Sequence, residues 1–445
     1  MQPLAYIQER GRKLTTWLLR PATIRQRNIR NVLIDGIGVG LVTGVGTFLS
    51  VFLVRLGASP FLVGLLTAMP ALTGVLLAIP VGRFLERQRN IVPWYSRSRV
   101  LVFASYALIG LVPFFFSAQA APIAIITIWA LVTVPQTIVN VAFTVVMGAV
   151  AGPHQRYYLM SRRWSLLGAT TAISVALVGV VLDQIRFPLN YQVVFIGSFA
   201  GGLLAFAFSS QIVIPDNESA EAAQRPHRPW HARLREVVVA LQENAAYSRF
   251  VLSAFVFNAG LMLAAPVFPL YWVRALHASD SWIGIINTVN NGVLLVAYFL
   301  WTALLGRKGV VFVLRVCGFG LALYPLLTGL TKSVPPLALY AGMAGVFGAG
   351  INLVLFDILL STCPQQRTAS YVALYQTTTY AATFLGPLLG TTLAASLGYA
   401  PALFVSSGLR LAGVALFILL DVGAAATPQR KPAELPAPAR HEVKG

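Results

Sequence analysis

Charged residues are scarce in this sequence of 445 residues, and acids are the scarcest among them. Only 11% of the residues are charged, and 14 Asp and Glu stand against 33 Lys and Arg. Soluble domains carry about 25% charged residues, so the composition excludes an ordinary water-soluble fold. The hydrophobic fraction of 57% and the mean hydropathy of +0.73 indicate instead a chain whose solvent is lipid.

Cysteine and histidine are also rare, which argues against several kinds of site. The two cysteines fall near the predicted cytoplasmic side, where a structural disulfide is not expected. The five histidines fall in predicted loops or tails, so neither a histidine relay nor a metal site inside the membrane is expected. The sequence has no Walker loop for ATP and no clustered nucleophile or acid–base set. We therefore expect no metal, no cofactor and no enzymatic activity.

Long apolar runs fill most of the chain. A bilayer core of about 30 Å needs roughly 20 apolar residues for one helical crossing. The runs are continuous and lack the alternation of barrel strands, so they predict helices. The twelve predicted membrane helices are 31–54, 61–82, 99–117, 122–149, 164–183, 190–214, 249–273, 282–305, 309–330, 335–360, 371–397 and 400–421.

The basic residues are distributed unevenly between the predicted loops. With a cytoplasmic N-terminus, nearly all of them fall on the cytoplasmic side, including Arg99 and Arg163. This positive-inside bias predicts a multi-pass protein of the bacterial inner (plasma) membrane with both termini in the cytoplasm. The same placement argues against nucleic acid as a partner despite the net charge of +19. The basic residues predicted to lie outside are Arg55, Arg186, Arg274 and Lys332.

The longest internal polar stretch divides the chain into two halves. It contains apolar residues at helical spacing, which predict a short amphipathic helix at the cytoplasmic surface. The N-terminal segment is predicted to be either an interfacial helix or a partly ordered tail. The predicted regions are a basic cytoplasmic segment at 1–30, a six-helix bundle at 31–214, the linker at 215–248, a second six-helix bundle at 249–421 and a disordered cytoplasmic tail at 422–445.

The two halves repeat each other. Residues 54–64 match 273–284 after the first helix of each half, and 152–156 match 363–367 after the fourth helix. Duplicated units are typical of alternating-access transporters, which bind their substrate near the bilayer midplane between the repeats. The predicted fold class is therefore an all-α membrane protein of twelve helices in two six-helix bundles.

At this point the sequence resembles the major facilitator superfamily, over about residues 28–421. The resemblance rests on the six-plus-six layout, the central linker and the loop after the second helix. In that loop Gly82, Glu86 and Arg87 fit the family's motif, whereas Arg89 replaces its second glycine. In the family this loop is a cytoplasmic latch that holds the outward-open state, and the resemblance implies the same role here. The alternative is a basic loop with an incidental glutamate.

Polar side chains inside predicted helices indicate a water-filled path. Stripes at helical spacing in the fourth, eighth and eleventh helices, with two single asparagines, predict the lining of a substrate cavity. The alternative is hydrogen bonding between helices, which is worth about 0.6 kcal/mol on average in membrane proteins. The predicted cavity residues are Thr133, Gln136, Thr137, Asn140, Asn258, Asn287, Asn291, Asn352, Gln376, Tyr380 and Thr383.

Two charged residues inside predicted helices are candidates for coupling transport to an ion. Asp35 lies about one turn inside the first helix and is the best candidate for a proton-coupling carboxylate. Arg410 lies near the middle of the twelfth helix, where burial costs about 2.5–3.5 kcal/mol on insertion scales. It therefore needs a carboxylate, backbone carbonyls or water, and it is either a structural residue or a substrate contact.

These features predict a secondary transporter of a small organic solute that works by alternating access as a monomer. An interior of amides, hydroxyls and aromatic rings favours a neutral, amphipathic or anionic solute over a multivalent cation, and export is favoured over uptake. The predicted partners are this solute, the lipid bilayer and a coupling proton or ion. The alternative is a non-transporting sensor or assembly factor on the same fold, which would bind a protein partner stably and show no flux.

Overall fold

The structure, a computed structural model, describes residues 23–214, 244–363 and 368–423. Within these ranges the regular elements are helical, and twelve spans are long and apolar enough to cross a membrane. The predicted all-α class is therefore confirmed. We number the spans α1 Ile24–Arg55, α2 Pro60–Glu86, α3 Val92–Phe115, α4 Ala121–Ala151, α5 Leu159–Gln184, α6 Leu189–Ser209, α7 Ala245–Ala275, α8 Asp280–Lys308, α9 Val310–Leu330, α10 Pro335–Thr362, α11 Thr368–Leu397 and α12 Tyr399–Leu419.

Each predicted apolar run corresponds to one of these spans, but the helices extend beyond the limits that hydropathy predicts. α1 begins at Ile24 and α3 at Val92, and the spans α4 and α5 lie in one continuous helix, Ala121–Gln184. As a result Arg99 and Arg163 lie within helices and are only 4% and 2% exposed. The prediction that Arg163 lies in a loop is therefore wrong, and both arginines are buried inside the bundle. Hydropathy ends a helix at a charge, whereas a buried charge is tolerated where an ion pair compensates it.

Three predicted regions lie mostly outside the described residues. The basic N-terminal segment is described only from residue 23, the linker only from residue 244, and the C-terminal tail only to residue 423. The amphipathic helix predicted for the linker lies outside the described residues. α7 begins at Ala245, where the side chain of Asn244 caps the helix by accepting a hydrogen bond from the amide of Tyr247 over 3.0 Å.

The helices pack in the same way within α1–α6 and within α7–α12. In the first half α6 packs against α1 and α3, and in the second half α12 packs against α7 and α9. Between the halves α2 packs against α11, and α5 packs against α8. Gly179 and Gly284 form the closest part of the α5–α8 contact, because a Cβ added to either glycine would lie 3.1 Å from the Cα of the other.

The two halves meet at one end of the molecule and separate toward the other. One hydrophobic cluster joins both halves, with Phe52 and Tyr191 from the first and Trp272 and Ile283 from the second. We call this the sealed end. Toward the opposite end, where the linker enters and leaves, the buried described residues divide into two clusters, each within one half. We call this the linker end, and the structure is divided there.

Candidate functional site

A cavity of about 300 Å³ lies within the first half, between α1, α3, α4 and α5. Its wall combines apolar and aromatic side chains with two amides and two arginines. Small-molecule sites have this character, an apolar surface with a few convergent polar groups. We call it the arginine cavity, and it is lined by Val39, Val42, Thr43, Arg99, Val102, Phe103, Tyr106, Gln136, Val139, Asn140, Phe143, Arg163, Trp164 and Leu167.

A second cavity, of about 490 Å³, lies on the seam between α5 and α8. This seam cavity shares Thr43, Trp164 and Leu167 with the arginine cavity, and it adds Asn291 and Tyr298 from the second half. The shared residues show that the two cavities adjoin. The arginine cavity therefore lies next to the interface along which the halves separate.

Three buried charges meet at the wall of the arginine cavity. Asp35 of α1 is fully buried and accepts hydrogen bonds from Arg99 of α3 and from Arg163 of α5, the second over 3.1 Å. Both arginines line the cavity. We call this group the Asp35 triad. One carboxylate and two guanidinium groups leave it with a formal net charge of +1.

Small residues on α1 allow the triad to form. A Cβ added to Gly40 would lie 2.1 Å from the hydroxyl oxygen of Thr170, so α1 and α5 approach as closely as the glycine permits. A Cβ added to Gly36 would lie 3.1 Å from Cγ of Arg163. Gly36 therefore leaves the space through which the Arg163 side chain reaches Asp35.

Aromatic rings surround the two arginines. Cζ of Arg163 lies 4.6 Å from the ring centre of Phe143 and 5.8 Å from that of Trp164, and Cζ of Arg99 lies 4.3 Å from that of Tyr95. A guanidinium within about 6 Å of a ring face is attracted by the ring's quadrupole. Nε of Arg163 is buried and has no hydrogen-bond partner among the described residues. The guanidinium thus has a donor that the protein itself does not use.

The polar residues predicted on one face of α4 lie in two different environments. Gln136 and Asn140 line the arginine cavity, and the Gln136 amide donates to the side-chain oxygen of Asn140 over 2.9 Å. Thr133 and Thr137 are buried between helices instead. The hydroxyl of Thr137 donates to the carbonyl of Thr133 over 2.8 Å, and the hydroxyl of Thr133 is hydrogen-bonded to that of Thr73 on α2, also over 2.8 Å.

The two asparagines predicted on α8 both lie at cavities. Asn291 lines the seam cavity, and Asn287 lines a third cavity of about 240 Å³ nearer the sealed end, between α1, α7, α8 and α9. The side-chain amide of each donates to the carbonyl four residues earlier, over 2.9 Å. α8 therefore contributes amide groups to two of the three cavities.

The stripe predicted for α11 lies away from the three cavities. Tyr380 packs at the α2–α11 contact, where a Cβ added to Gly74 would lie 3.5 Å from its ring. The hydroxyl of Thr383 donates to the carbonyl of Thr379 over 2.9 Å, and Gln376 is exposed. These three residues do not line any of the cavities described above.

The two single asparagines contact tyrosines in the second half. The side chain of Asn258 lies close to that of Tyr375, and the amide of Asn352 donates to the hydroxyl of Tyr298 over 3.2 Å. Because Tyr298 lines the seam cavity, Asn352 lies one contact behind its wall.

Arg410 is buried in the second half and is 2% exposed. Its Nη1 donates to the carbonyl of Leu321 over 2.8 Å, and its Nε has no hydrogen-bond partner among the described residues. A Cβ added to Gly260 would lie 2.9 Å from its Cγ. Arg410 does not line any of the three cavities, so the structure shows a backbone contact and places it apart from the candidate site.

A reciprocal set of hydrogen bonds joins the halves at the sealed end. Nη2 of Arg55 donates to the carbonyl of Ala278 over 2.9 Å, and Nη2 of Arg274 donates to the carbonyl of Ala58. These residues belong to the repeated segments of the sequence, so each half offers an arginine to the corresponding loop of the other. We call this the arginine clasp.

A carboxylate from the second half strengthens the clasp. Asp280 accepts hydrogen bonds from Nε of Arg55 over 2.8 Å and from the hydroxyl of Tyr191 over 2.7 Å. Asp183 accepts from the backbone amides of Asp280 and Ser281, over 2.9 and 3.1 Å. These amides lie at the start of α8, where a negative charge is favoured. Asp183 is exposed and caps a helix of the opposite half.

Comparison with known proteins supports the family resemblance. The family model described as Major Facilitator Superfamily matches residues 250–443, and the described helices have its two-bundle arrangement. The sequence match thus covers the second half of the chain. The suspected resemblance and the predicted fold class are thereby confirmed, as is the expectation of a multi-pass membrane protein.

The sequence relatives of this chain are distant. Multidrug resistance protein MdtG of Salmonella choleraesuis (strain SC-B67) is 25% identical over 160 residues, which are 35% of this chain and 39% of that protein. The chain thus aligns with about two fifths of the length of the curated relatives it matches.

Solved structures share the fold of this chain at low identity. The nucleoside transporter NupG has a TM-score of 0.67 at 12% identity and covers 88% of this chain and 98% of its own. A bacterial homologue of the iron transporter ferroportin in an inward-facing state has a TM-score of 0.66 at 14% identity, with coverage of 89% and 98%. At these identities the likeness concerns the fold alone.

The residues predicted to form a latch lie at the linker end. α2 ends at Glu86, Arg87 follows it, and both side chains are exposed. Gly82 lies one turn earlier, with open space where a Cβ would be. The family's latch acts in the state that is closed at this end, whereas the linker end is divided here. The latch role of Gly82, Glu86 and Arg87 therefore stays a prediction.

The sequence analysis did not identify Arg99 and Arg163 as site residues, although the sequence contains an indication for Arg99. Pro93 lies in the first turn of α3, a position where proline is favoured. A helix started at that proline would have placed Arg99 well inside α3. Arg163 had no comparable signal, because its partner Asp35 is 128 positions away in the chain.

Proposed function

We propose that this protein is a secondary transporter of a small organic solute that works by alternating access. The observation that carries the proposal is the contrast between the ends, since one cluster seals one end while the halves separate around cavities toward the other. A carrier of this kind exposes its site to one side of the membrane at a time. The arginine cavity and the seam cavity are the proposed solute site.

We assign the linker end to the cytoplasm because the positive-inside bias places the basic loops there. On that assignment the structure corresponds to an inward-open state in the bacterial inner membrane, and both termini are cytoplasmic. The opposite state requires the arginine clasp to open and the halves to rotate over the α2–α11 and α5–α8 contacts. We further propose that one chain is sufficient for transport.

For the direction of transport we propose export. The named relatives are multidrug resistance proteins, which favours an efflux role, and the mixed apolar and polar wall of the arginine cavity suits an amphipathic solute. Asp35 is the candidate through which a proton gradient would act. If Asp35→Asn folds and its flux responds to a pH gradient as the native protein's does, this coupling role is excluded.

The test is solute flux in liposomes that contain the purified protein. Solutes are first selected by thermal stabilisation of the protein, and their flux is then measured with and without a pH gradient. Gln136→Ala and Asn140→Ala are expected to fold normally and to lower flux about tenfold, because each removes an amide from the cavity wall. Gln211→Ala is the matched control, since that amide is exposed at the end of α6.

Native flux in both cavity variants would remove the cavity assignment. Absence of flux for every stabilising solute, together with a protein partner that copurifies at fixed stoichiometry, would support the sensor or assembly-factor alternative instead.

A further inference from the structure

We propose that the solute is an organic monoanion with an apolar or aromatic body, and that its anionic group binds Arg163 and Arg99 of the Asp35 triad. This inference rests on the proposed function, because it takes the arginine cavity as the solute site. It goes beyond that function by naming the chemical class of the solute and the atoms that recognise it.

The first argument is the net positive charge of the Asp35 triad. A single arginine beside Asp35 would already form a neutral pair, so the second arginine is not needed to compensate the carboxylate. The described residues that line the cavity include no acidic side chain to offset it. An uncompensated charge in an apolar interior is unfavourable. One bound negative charge would make the site neutral, whereas a cation would raise its charge to +2.

The second argument is the position of the two arginines at the cavity wall. Both arginines line the cavity, and both are almost fully buried. Nε of Arg163 has no protein partner among the described residues. The guanidinium fork matches the paired oxygens of a carboxylate, phosphate or sulfonate, and such charge-assisted bonds are stronger than neutral ones. The structure therefore provides an unused donor on a charged group at the cavity wall.

The rest of the wall defines the body of the solute. Phe143 and Trp164 flank the Arg163 guanidinium, and Val39, Val102 and Leu167 provide apolar surface nearby. A small inorganic anion would leave this surface uncovered. An anion with a ring or short aliphatic body would bury apolar area as well, and apolar burial supplies much of the affinity of such sites.

The experiment compares two probes that differ only in charge. Naphthalene-2-carboxylate and naphthalene-2-carboxamide are titrated into the purified full-length protein, and binding is followed by calorimetry and by thermal stabilisation. The carboxylate is expected to bind more than about tenfold tighter than the amide, because hydrogen bonds to charged groups are the stronger ones. Equal affinities, or no binding of the carboxylate up to its solubility limit, would overturn the inference.

Two arginine variants test whether Arg163 causes the preference for the carboxylate. Arg163→Gln leaves Asp35 and Arg99 as a neutral pair and is expected to bind carboxylate and amide equally. Arg162→Gln removes the neighbouring, exposed arginine of the same helix and is expected to keep the preference for the carboxylate. A carboxylate preference that survives Arg163→Gln would overturn the proposed site. If Arg163→Gln does not fold, the probe pair on the native protein still decides the solute class.

The outcomes separate this inference from the proposed transport function. Charge-selective binding that depends on Arg163, with no flux of naphthalene-2-carboxylate or any other solute in liposomes, would contradict transport and support the anion site. Flux of a solute that is insensitive to both its own charge and Arg163→Gln would do the opposite.

Discussion

The two halves are built on the same six-helix plan, yet they bury charge differently. In the first half Asp35 pairs with two arginines at the wall of a cavity. In the second half Arg410 is buried against a backbone carbonyl, away from the cavities. At the spacing that relates Arg55 to Arg274, Asp35 corresponds to Ala254, so the second half has no carboxylate at that position.

The packing around the two buried arginines is nevertheless alike. Gly36 on the first helix of one half makes room for Arg163, and Gly260 on the first helix of the other makes room for Arg410. In both halves a glycine thus packs against the aliphatic part of a buried arginine side chain. The arginine of the first half has a carboxylate partner, whereas that of the second half has no described counter-ion. The comparison indicates that recognition of charge belongs to the first half, while the second half contributes amides and tyrosines.

At the sealed end the asymmetry is reversed. The arginines of the clasp are reciprocal, but Asp280 follows Ser279 in the second half, whereas Pro60 follows Ser59 in the first. The second half therefore supplies the carboxylate that pairs with Arg55. The duplicated plan keeps the helix packing and the loop contacts, and single acidic residues distinguish the halves.

The largest effect is expected from Asp35→Asn. This change leaves two buried guanidinium groups without a counter-charge, and removing one partner of a buried ion pair costs about 3–5 kcal/mol. The thermal unfolding midpoint of the purified protein should fall accordingly. Asp421→Asn is the control, because the carboxylate of Asp421 is exposed and lies 3.9 Å from Arg315. Its effect should stay below about 1 kcal/mol. Equal midpoints for the two variants would show that the triad does not stabilise the first half.

A smaller effect is expected from Asp280→Asn, and it concerns conformation. The variant loses a charged acceptor for Arg55 and Tyr191, so the sealed end should open more often by a free-energy shift of about 1.5–3 kcal/mol. The distance between spin labels placed in the two halves at this end measures the shift.

The labels are placed at Ser117 and Ser333, which are exposed near the sealed end, and the two native cysteines are buried. Arg186→Gln is the control, because it removes an exposed charge at the same end without touching the described clasp. An unchanged distance distribution in Asp280→Asn would mean that the hydrophobic cluster alone keeps the end sealed.

The smallest effect is expected from Arg410→Met, and it has the opposite sign to that of Asp35→Asn. Methionine fills a similar space and removes a buried charge that has no described counter-ion, so stability should rise by about 1 kcal/mol. Arg249→Met, at an exposed position near the start of α7, should change stability by less than about 0.5 kcal/mol. A clear loss of stability in Arg410→Met would show that its bond to Leu321 outweighs the cost of burial.

The candidate site was predictable only in part, as α4 shows. Periodicity placed Thr133, Gln136, Thr137 and Asn140 on one face of the helix, and the structure keeps them there. That face is wide enough to meet both a cavity and a neighbouring helix. Thr133 is hydrogen-bonded to Thr73 of the neighbour α2, and Thr137 is buried beside it. Helical spacing identifies a polar face but does not state which part of it borders open space.

Length and composition are sufficient to establish a membrane protein of twelve helices in two similar halves, because the length of an apolar run and its repetition are properties of the chain itself. The Asp35 triad and the arginine clasp depend on the fold, since their partners lie 64 to 225 positions apart. A hydropathy scale assigns every arginine to water. Whether an arginine can leave water depends on a carboxylate or carbonyl brought to it from elsewhere in the chain, and only helix packing does that.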